Sequence, residues 1–276
     1  QGGGEHTERD QRRLETMAAG LKATATRFAN DTIQECREAC GGAGYMAENR
    51  LVGLRADADV FATFEGDNTV LLQLVTKALL TDYRQVWGDL DRVGMVQAAA
   101  RMVGGTVLER TAANLLVDRL VATARRRPEE LALVDRAWHA YLFEERERHS
   151  LESLARRMRR ADSRDFEGVN RLGDHMLFVA HAHLERVLLE AFIAGIEACT
   201  DPDARAVLER LCSLYALSSI DADRAWYLEH NRISTGRAKA IGVQVNALCA
   251  ELRPDALALV EGFGIPEAWL GAKLLD

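Results

Sequence analysis

Residues 36–72 read CREACGGAGYMAENRLVGLRADADVFATFEGDNTVLL, and the fold turns on how helices stop and restart inside this stretch. Gly41, Gly42 and Gly44 place three glycines in four positions. Such a run ends a helix, because glycine reaches backbone angles that other residues avoid. Thr63-Phe64-Glu65-Gly66-Asp67-Asn68-Thr69 then sets helix-capping residue types directly before an apolar run. Between these two signals, over 45–64, the sequence predicts mostly irregular chain.

Outward from the block, both flanks read as helix. Upstream, Leu14, Met17, Leu21, Ala25 and Phe28 recur at three- and four-residue steps, which predicts a helix over 9–40 with these residues as its apolar side. The opening Gln1-Gly2-Gly3-Gly4 reads as a loose loop. Downstream, Val70, Leu71, Leu74, Val75 and Leu79 carry the same period. A thinner patch over 84–103 leads to a second helical body, broken at Arg125-Arg126-Arg127-Pro128, where proline suits the first turn of the next helix. One or two helices are predicted over 129–160, a turn at Asp162-Ser163-Arg164-Asp165, a helix over 167–199, and two or three more before Gly262-Phe263-Gly264-Ile265-Pro266. No period-two strand pattern and no internal repeat is visible.

Composition agrees. The 276 residues are 48% hydrophobic and 28% charged, with only 4 prolines, an ordinary globular mixture that favours helix over strand. The expected fold is all-α, in two helical bundles over 1–89 and 90–276. A formal charge of -7 argues against nucleic acid as the main partner, and no apolar run is long enough to span a bilayer. Five scattered cysteines suggest a reducing compartment. The ending Ala272-Lys273-Leu274-Leu275-Asp276 is not an address of the Ser-Lys-Leu kind, and with the high Ala and Arg content it suggests a bacterial cytoplasm.

Two features of the block can carry chemistry. A glycine turn lets backbone N–H groups approach a flat or phosphate-bearing ligand closely, although most such turns only end helices. Glu65 sits between an aromatic residue and a helix start, where the dipole alone favours a carboxylate. Asp67, Asn68 and Thr69 read equally as caps and as ligand contacts. Asp57 and Asp59 read as loop solvation, and Cys36 and Cys40 as buried small apolar residues. His181 and His183, two apart, fall on different helix faces, and no metal site is expected. The arginine runs 125–127 and 156–160 read as solvated helix ends.

Read together, the motifs resemble the acyl-CoA oxidases, the oxygen-using branch of the acyl-CoA dehydrogenase superfamily. That family has a CR-x-x-CGG-x-GY turn followed, at this distance, by F/Y-E-G-D/E-N-T. Arg210-Leu211-Cys212-Ser213-Leu214-Tyr215-Ala216-Leu217 and Leu252-Arg253-Pro254-Asp255-Ala256-Leu257-Ala258-Leu259-Val260-Glu261-Gly262-Phe263 resemble its C-terminal helical domain. The resemblance implies that Glu65 is the base that removes the α proton of an acyl-CoA, and that its backbone N–H, with Gly66 beside it, meets the thioester. It further implies FAD as cofactor, with Arg37, Gly41, Gly42, Asp67, Asn68 and Thr69 as contacts, and oxygen as electron acceptor.

A homodimer follows from the family's flavin contact across subunits. Glu38 stands where many dehydrogenases have glutamine, so the resemblance does not carry that flavin contact over, while the Cys-Arg start, the E-G-D-N-T form and the long C-terminal helical extension lean toward oxidase. The family's N-terminal helical and central β domains are not in this sequence. A chain inactive by itself is therefore expected: a fragment, one polypeptide of a split enzyme, or, least in keeping with the sequence, a natural truncated protein with a non-catalytic role. The alternatives are a dehydrogenase that passes electrons to a carrier flavoprotein, or a non-catalytic helical dimerisation module.

Overall fold

The computed structural model describes residues 8–87, 112–160 and 166–275. Among them there is no strand, as the all-α reading expects. The helices are α1 (Glu8–Ala39), α2 (Leu51–Val60), α3 (Asn68–Trp87), α4 (Ala112–Arg126), α5 (Arg136–Arg160) and α6 (Phe166–Asn170). They continue with α7 (Gly173–Ala198), α8 (Pro202–Ala222), α9 (Arg224–Glu229), α10 (Thr235–Leu252), α11 (Ala256–Glu261) and α12 (Glu267–Leu270). Short 3-10 turns occupy Gly41–Tyr45, Ala47–Asn49, Pro128–Glu130, Arg253–Asp255 and Lys273–Leu275. The stretch predicted to be irregular over 45–64 therefore holds a helix, α2.

The chain forms two compact units. One gathers Gln1–Asp82, Arg157–Leu184 and Glu261–Asp276, the other Tyr83–Arg156 and Glu185–Val260. The expected boundary at 89/90 and the turn at 162–165 lie outside the described residues, as does most of the patch over 84–103.

In the first unit, Ala19 and Ala23 of α1 pack with Leu72 and Val75 of α3 and with Ala180 and Leu184 of α7. Burying a leucine or valine such as Leu72, Val75 or Leu184 contributes roughly 1.5–3 kcal/mol. The approach is close: a Cβ on Gly20 would stand 2.3 Å from Leu184 Cδ2. Small residues thus form the inward face of α1. Leu14, Leu21 and Phe28, taken from the periodicity as its apolar side, are exposed. On α3, Thr76 is fully buried and donates to the Met176 carbonyl, while Val70 and Leu74 are exposed.

The second unit has the larger core, with Trp138, Leu142 and Phe143 of α5, Leu189, Ile193 and Ile196 of α7, Cys212, Leu217 and Ile220 of α8, Tyr227 of α9 and Ile241 of α10. Burial pushes the Cys212 thiol up to about 11, so it behaves as a small apolar residue. Charge is buried here too. Arg146, 1% exposed, pairs with Glu185 at 2.5 Å and with Asp223, and its guanidinium lies 5.2 Å from the Phe143 ring centroid. Glu145 takes Arg148 at 2.8 Å and Arg232 at 3.3 Å. Breaking such a pair on one side is strongly destabilising because it strands a buried charge.

The arginine runs stand at helix ends. Arg125 pairs with Glu144 at 2.5 Å and Arg127 with Glu130 at 3.2 Å, while Arg156, Arg157, Arg159 and Arg160 are exposed over the last turn of α5.

Candidate active site

The residues singled out in the sequence lie on two turns of the first unit. The glycine turn follows α1 directly. Gly41 has φ +56°, a left-handed conformation that favours glycine. A Cβ on Gly41 or Gly42 would meet nothing within 4 Å, whereas one on Gly44 would stand 2.0 Å from the Arg37 carbonyl oxygen. Gly44 is thus required by packing, and Gly41 and Gly42 face open space.

Arg37, in the last turn of α1, donates to Gln34 Oε1 at 2.7 Å and lies 4.7 Å from the Tyr45 ring centroid. Its Nε is buried without a hydrogen-bond partner. Glu38 accepts from Gln34 on the same helix. Cys36 is exposed and Cys40 half-buried, which corrects their reading as buried residues. The helix end there points out of the core.

The second turn carries Glu65. Asn68 N–H donates to the Ala62 carbonyl at 3.0 Å, closing a loop with Glu65 near its tip. Glu65 has φ +55° and Gly66 φ +108°. A left-handed glutamate is rare, and it persists only where the surrounding structure imposes it. Phe61 and Phe64 meet edge to face at 6.1 Å on the same turn, and both are exposed, as is Glu65. The carboxylate is held out, with aromatic rings beside it in the chain.

What imposes the turn is a row of polar side chains on α1. Lys22 Nζ donates to the Gly66 carbonyl at 2.5 Å and to Asn68 Oδ1 at 2.9 Å. Asn68 Nδ2 donates to Thr26 Oγ1 at 2.9 Å. One turn further, buried Asn30 donates to the Ala58 carbonyl at 3.1 Å and accepts from Arg55, which fixes α2. Lys22, Thr26 and Asn30 were missed in the sequence. Their four-residue spacing, which sets them in one row along the helix, was the available signal.

Of the three residues after Gly66, Asp67 caps α3, its Oδ1 accepting from Thr69 N–H at 2.8 Å and Val70 N–H at 3.4 Å. Asn68 is committed to α1 and Thr69 is exposed. Asp57 and Asp59 are exposed on α2, not in a loop. His181 is exposed and His183 buried. Among the described residues no group of three or more His, Cys, Asp or Glu side chains could hold a metal ion, and no helix is long and apolar enough to cross a membrane.

Comparison with known proteins bears on this pair of turns. The family model for acyl-CoA oxidase matches residues 118–274, and that for the acyl-CoA oxidase C-alpha1 domain matches residues 1–80. The chain belongs to the acyl-CoA oxidase family. It is 34% identical to the peroxisomal acyl-coenzyme A oxidase 2 of Arabidopsis thaliana, over 95% of this chain and 37% of that protein. It is 32% identical to the human peroxisomal acyl-coenzyme A oxidase 3, over 95% of this chain and 37% of that protein. The chain therefore spans well under half of the relatives it matches.

Among solved structures, acyl-CoA oxidase-2 of Caenorhabditis elegans, bound with FAD, ascaroside-CoA and ATP, aligns with a TM-score of 0.75 at 20% identity, covering 96% of this chain and 37% of that one. That likeness shows the fold. The bacterial cytoplasm expected from composition is overturned, since these relatives are peroxisomal proteins of a plant and an animal. The physical reason is plain: Ala and Arg content reports helix propensity, and a receptor-read address is not encoded in overall composition.

Proposed function

We propose that this chain is the C-terminal helical part of an FAD-dependent acyl-CoA oxidase, and that Glu65 removes the α proton of the bound acyl-CoA. The observation that carries the proposal is the E-G-D-N-T turn, in which Lys22, Asn68 and the Asp67 cap hold an exposed carboxylate at φ +55°. The membership of this chain in the family supports it, as do the FAD and ascaroside-CoA named for the C. elegans relative.

Arg37, Gly41 and Gly42 fit a flavin nucleotide, because the two glycines leave open space and Arg37 Nε is a buried donor without a partner. Bound FAD would accept a hydride from the neighbouring carbon, leaving a trans-2-enoyl-CoA, and pass the electrons to oxygen to give hydrogen peroxide. Glu65 takes the α proton onto its carboxylate, and the backbone N–H of Glu65, next to Gly66, polarises the thioester carbonyl as negative charge develops on it. Substrate that covers Phe61 and Phe64 expels water from the carboxylate and raises its basicity. Asp67 and Asn68 act by fixing the start of α3, and Thr69 stands exposed for contact with the cofactor.

The remainder of the enzyme, in cis or as another chain, builds the rest of the pocket, and the isolated chain does not turn over acyl-CoA. A second copy is the proposed partner of the exposed stripe Leu14, Leu21 and Phe28 on α1, whose seven-residue spacing is that of a helix–helix seam.

The test is acyl-CoA-dependent peroxide release in air by the complete enzyme, with Glu65 and with Glu65→Gln. The substitution is expected to lower the rate about 10²- to 10⁴-fold while FAD stays bound. Flavin that is reduced by acyl-CoA without peroxide formation would move the protein to the dehydrogenases. An unchanged rate would remove Glu65 from the mechanism.

A further inference from the structure

One buried side chain joins the glycine turn to a segment far along the chain. Asn49 is 6% exposed. Its Nδ2 donates to the Ala43 carbonyl at 2.8 Å, between Gly42 and Gly44. Its Oδ1 accepts from the backbone N–H of Leu274 at 2.7 Å, 225 positions downstream. The Ala43 carbonyl also accepts from Met46 N–H at 3.2 Å, so both its lone pairs are used and the 43–44 peptide plane is fixed.

The segment around Leu274 is seated by further contacts. Gly271 has φ +51°, and a Cβ there would stand 3.1 Å from Arg50 Nη1. Arg50, itself left-handed at φ +65°, opens α2. Lys273 lies 3.7 Å from Glu48, an exposed pair of little strength. The Asn49 amide is the buried polar link, and leaving either of its ends unpaired costs the desolvation of that group.

We propose that Asn49 is a positioning residue that transmits the placement of segment 271–275 into the glycine turn, so that Gly41 and Gly42 are presented in one conformation. That this conformation seats FAD rests on the function proposed above. That segment 271–275 governs the turn does not.

Two readouts in the complete enzyme separate these claims: amide hydrogen exchange across 42–46, and the FAD dissociation constant. Leu274→Pro removes the N–H together with the leucine side chain, whose loss alone Leu274→Ala reports, at a position in the first turn of a 3-10 helix where proline is tolerated. It is expected to speed exchange across 42–46 and to weaken FAD, each about tenfold. Leu274→Ala keeps the N–H and is expected to do neither. Asn49→Ala is expected to match Leu274→Pro, and the double variant to add little, because both cut the same link.

Unchanged exchange across 42–46 in Leu274→Pro would overturn the proposal. Faster exchange with unchanged FAD affinity would refute the flavin part alone. Gly42→Val, which fills the open side of the turn without touching Asn49, reports on the seat itself. If it leaves FAD affinity intact, the seat is elsewhere, and the exchange result still decides the role of Asn49.

Discussion

Glu65 bears a conformational cost for which the proposed role as base gives a reason. A non-glycine residue at φ +55° is strained by roughly 1–2 kcal/mol, and only Gly and, less freely, Asn or Asp adopt that region easily. Glu65→Asn is therefore expected to raise the melting temperature by about 2–4 °C while abolishing peroxide release. Differential scanning calorimetry alongside the activity assay checks both halves, and a lower melting temperature would show that the Glu65 side chain stabilises the turn. The residue type and its motif were legible in the sequence. The left-handed backbone was not, because it is imposed from α1 by Lys22, 44 positions from the Gly66 carbonyl it holds, and by Thr26, 42 positions from the Asn68 amide it accepts.

At the scale of the helix, Asp67 is the decisive end. Its carboxylate accepts two N–H groups at the start of α3, so Asp67→Ala should cost about 1 kcal/mol, and Asp67→Ser, which keeps a cap acceptor, should restore most of it. Urea titration measures the stability, and FAD titration of the Ser variant tests the role. An affinity that stays low in a restored Asp67→Ser protein would mean a direct flavin contact. The extents of α1 and α3 could be read from period and capping, but not which side of α1 packs. Ala19, Gly20 and Ala23 face inward because small residues let α7 approach, and hydrophobicity alone ranks Leu14, Leu21 and Phe28 above them. α2 was hidden for a different reason. LVGLRADADV carries a glycine and two aspartates, weak helix formers, and the helix is held by Asn30 and Arg55.

Over the molecule as a whole, a buried histidine and a half-buried glutamate of the second unit make opposite contributions to acid stability. Burial drives His139, 0% exposed, down to about 4. The unfolded chain then takes up the proton first, and stability is lost as pH falls from about 6.5 to 4. Glu144 is pushed up to about 7, chiefly by burial, with Arg125 opposing. The native state keeps a proton that the unfolded chain has released, so stability is lost as pH rises from about 4.5 through 7. Between pH 4.5 and 6.5 the two nearly cancel. Glu144→Gln is expected to uncover the histidine, gaining about 2 kcal/mol more than the parent protein on going from pH 4.5 to 6.5, and parallel urea titrations at those two values would show it. Equal gains would place the Glu144 carboxyl at its ordinary value.

The sequence showed a break between helical bodies and suggested a division of the chain at one point. That the site-bearing unit is assembled from three separate lengths of chain was not visible there, because nothing local marks 157–184 or 261–276 as belonging with 1–82. That unit cannot close when its own first helices leave the ribosome. At ordinary rates of synthesis, the stretch between Asp82 and Glu261 takes roughly 10 to 40 s to translate. Throughout that interval the glycine turn lacks the Leu274 N–H that Asn49 accepts, and its final conformation is set only when the last of its pieces emerges.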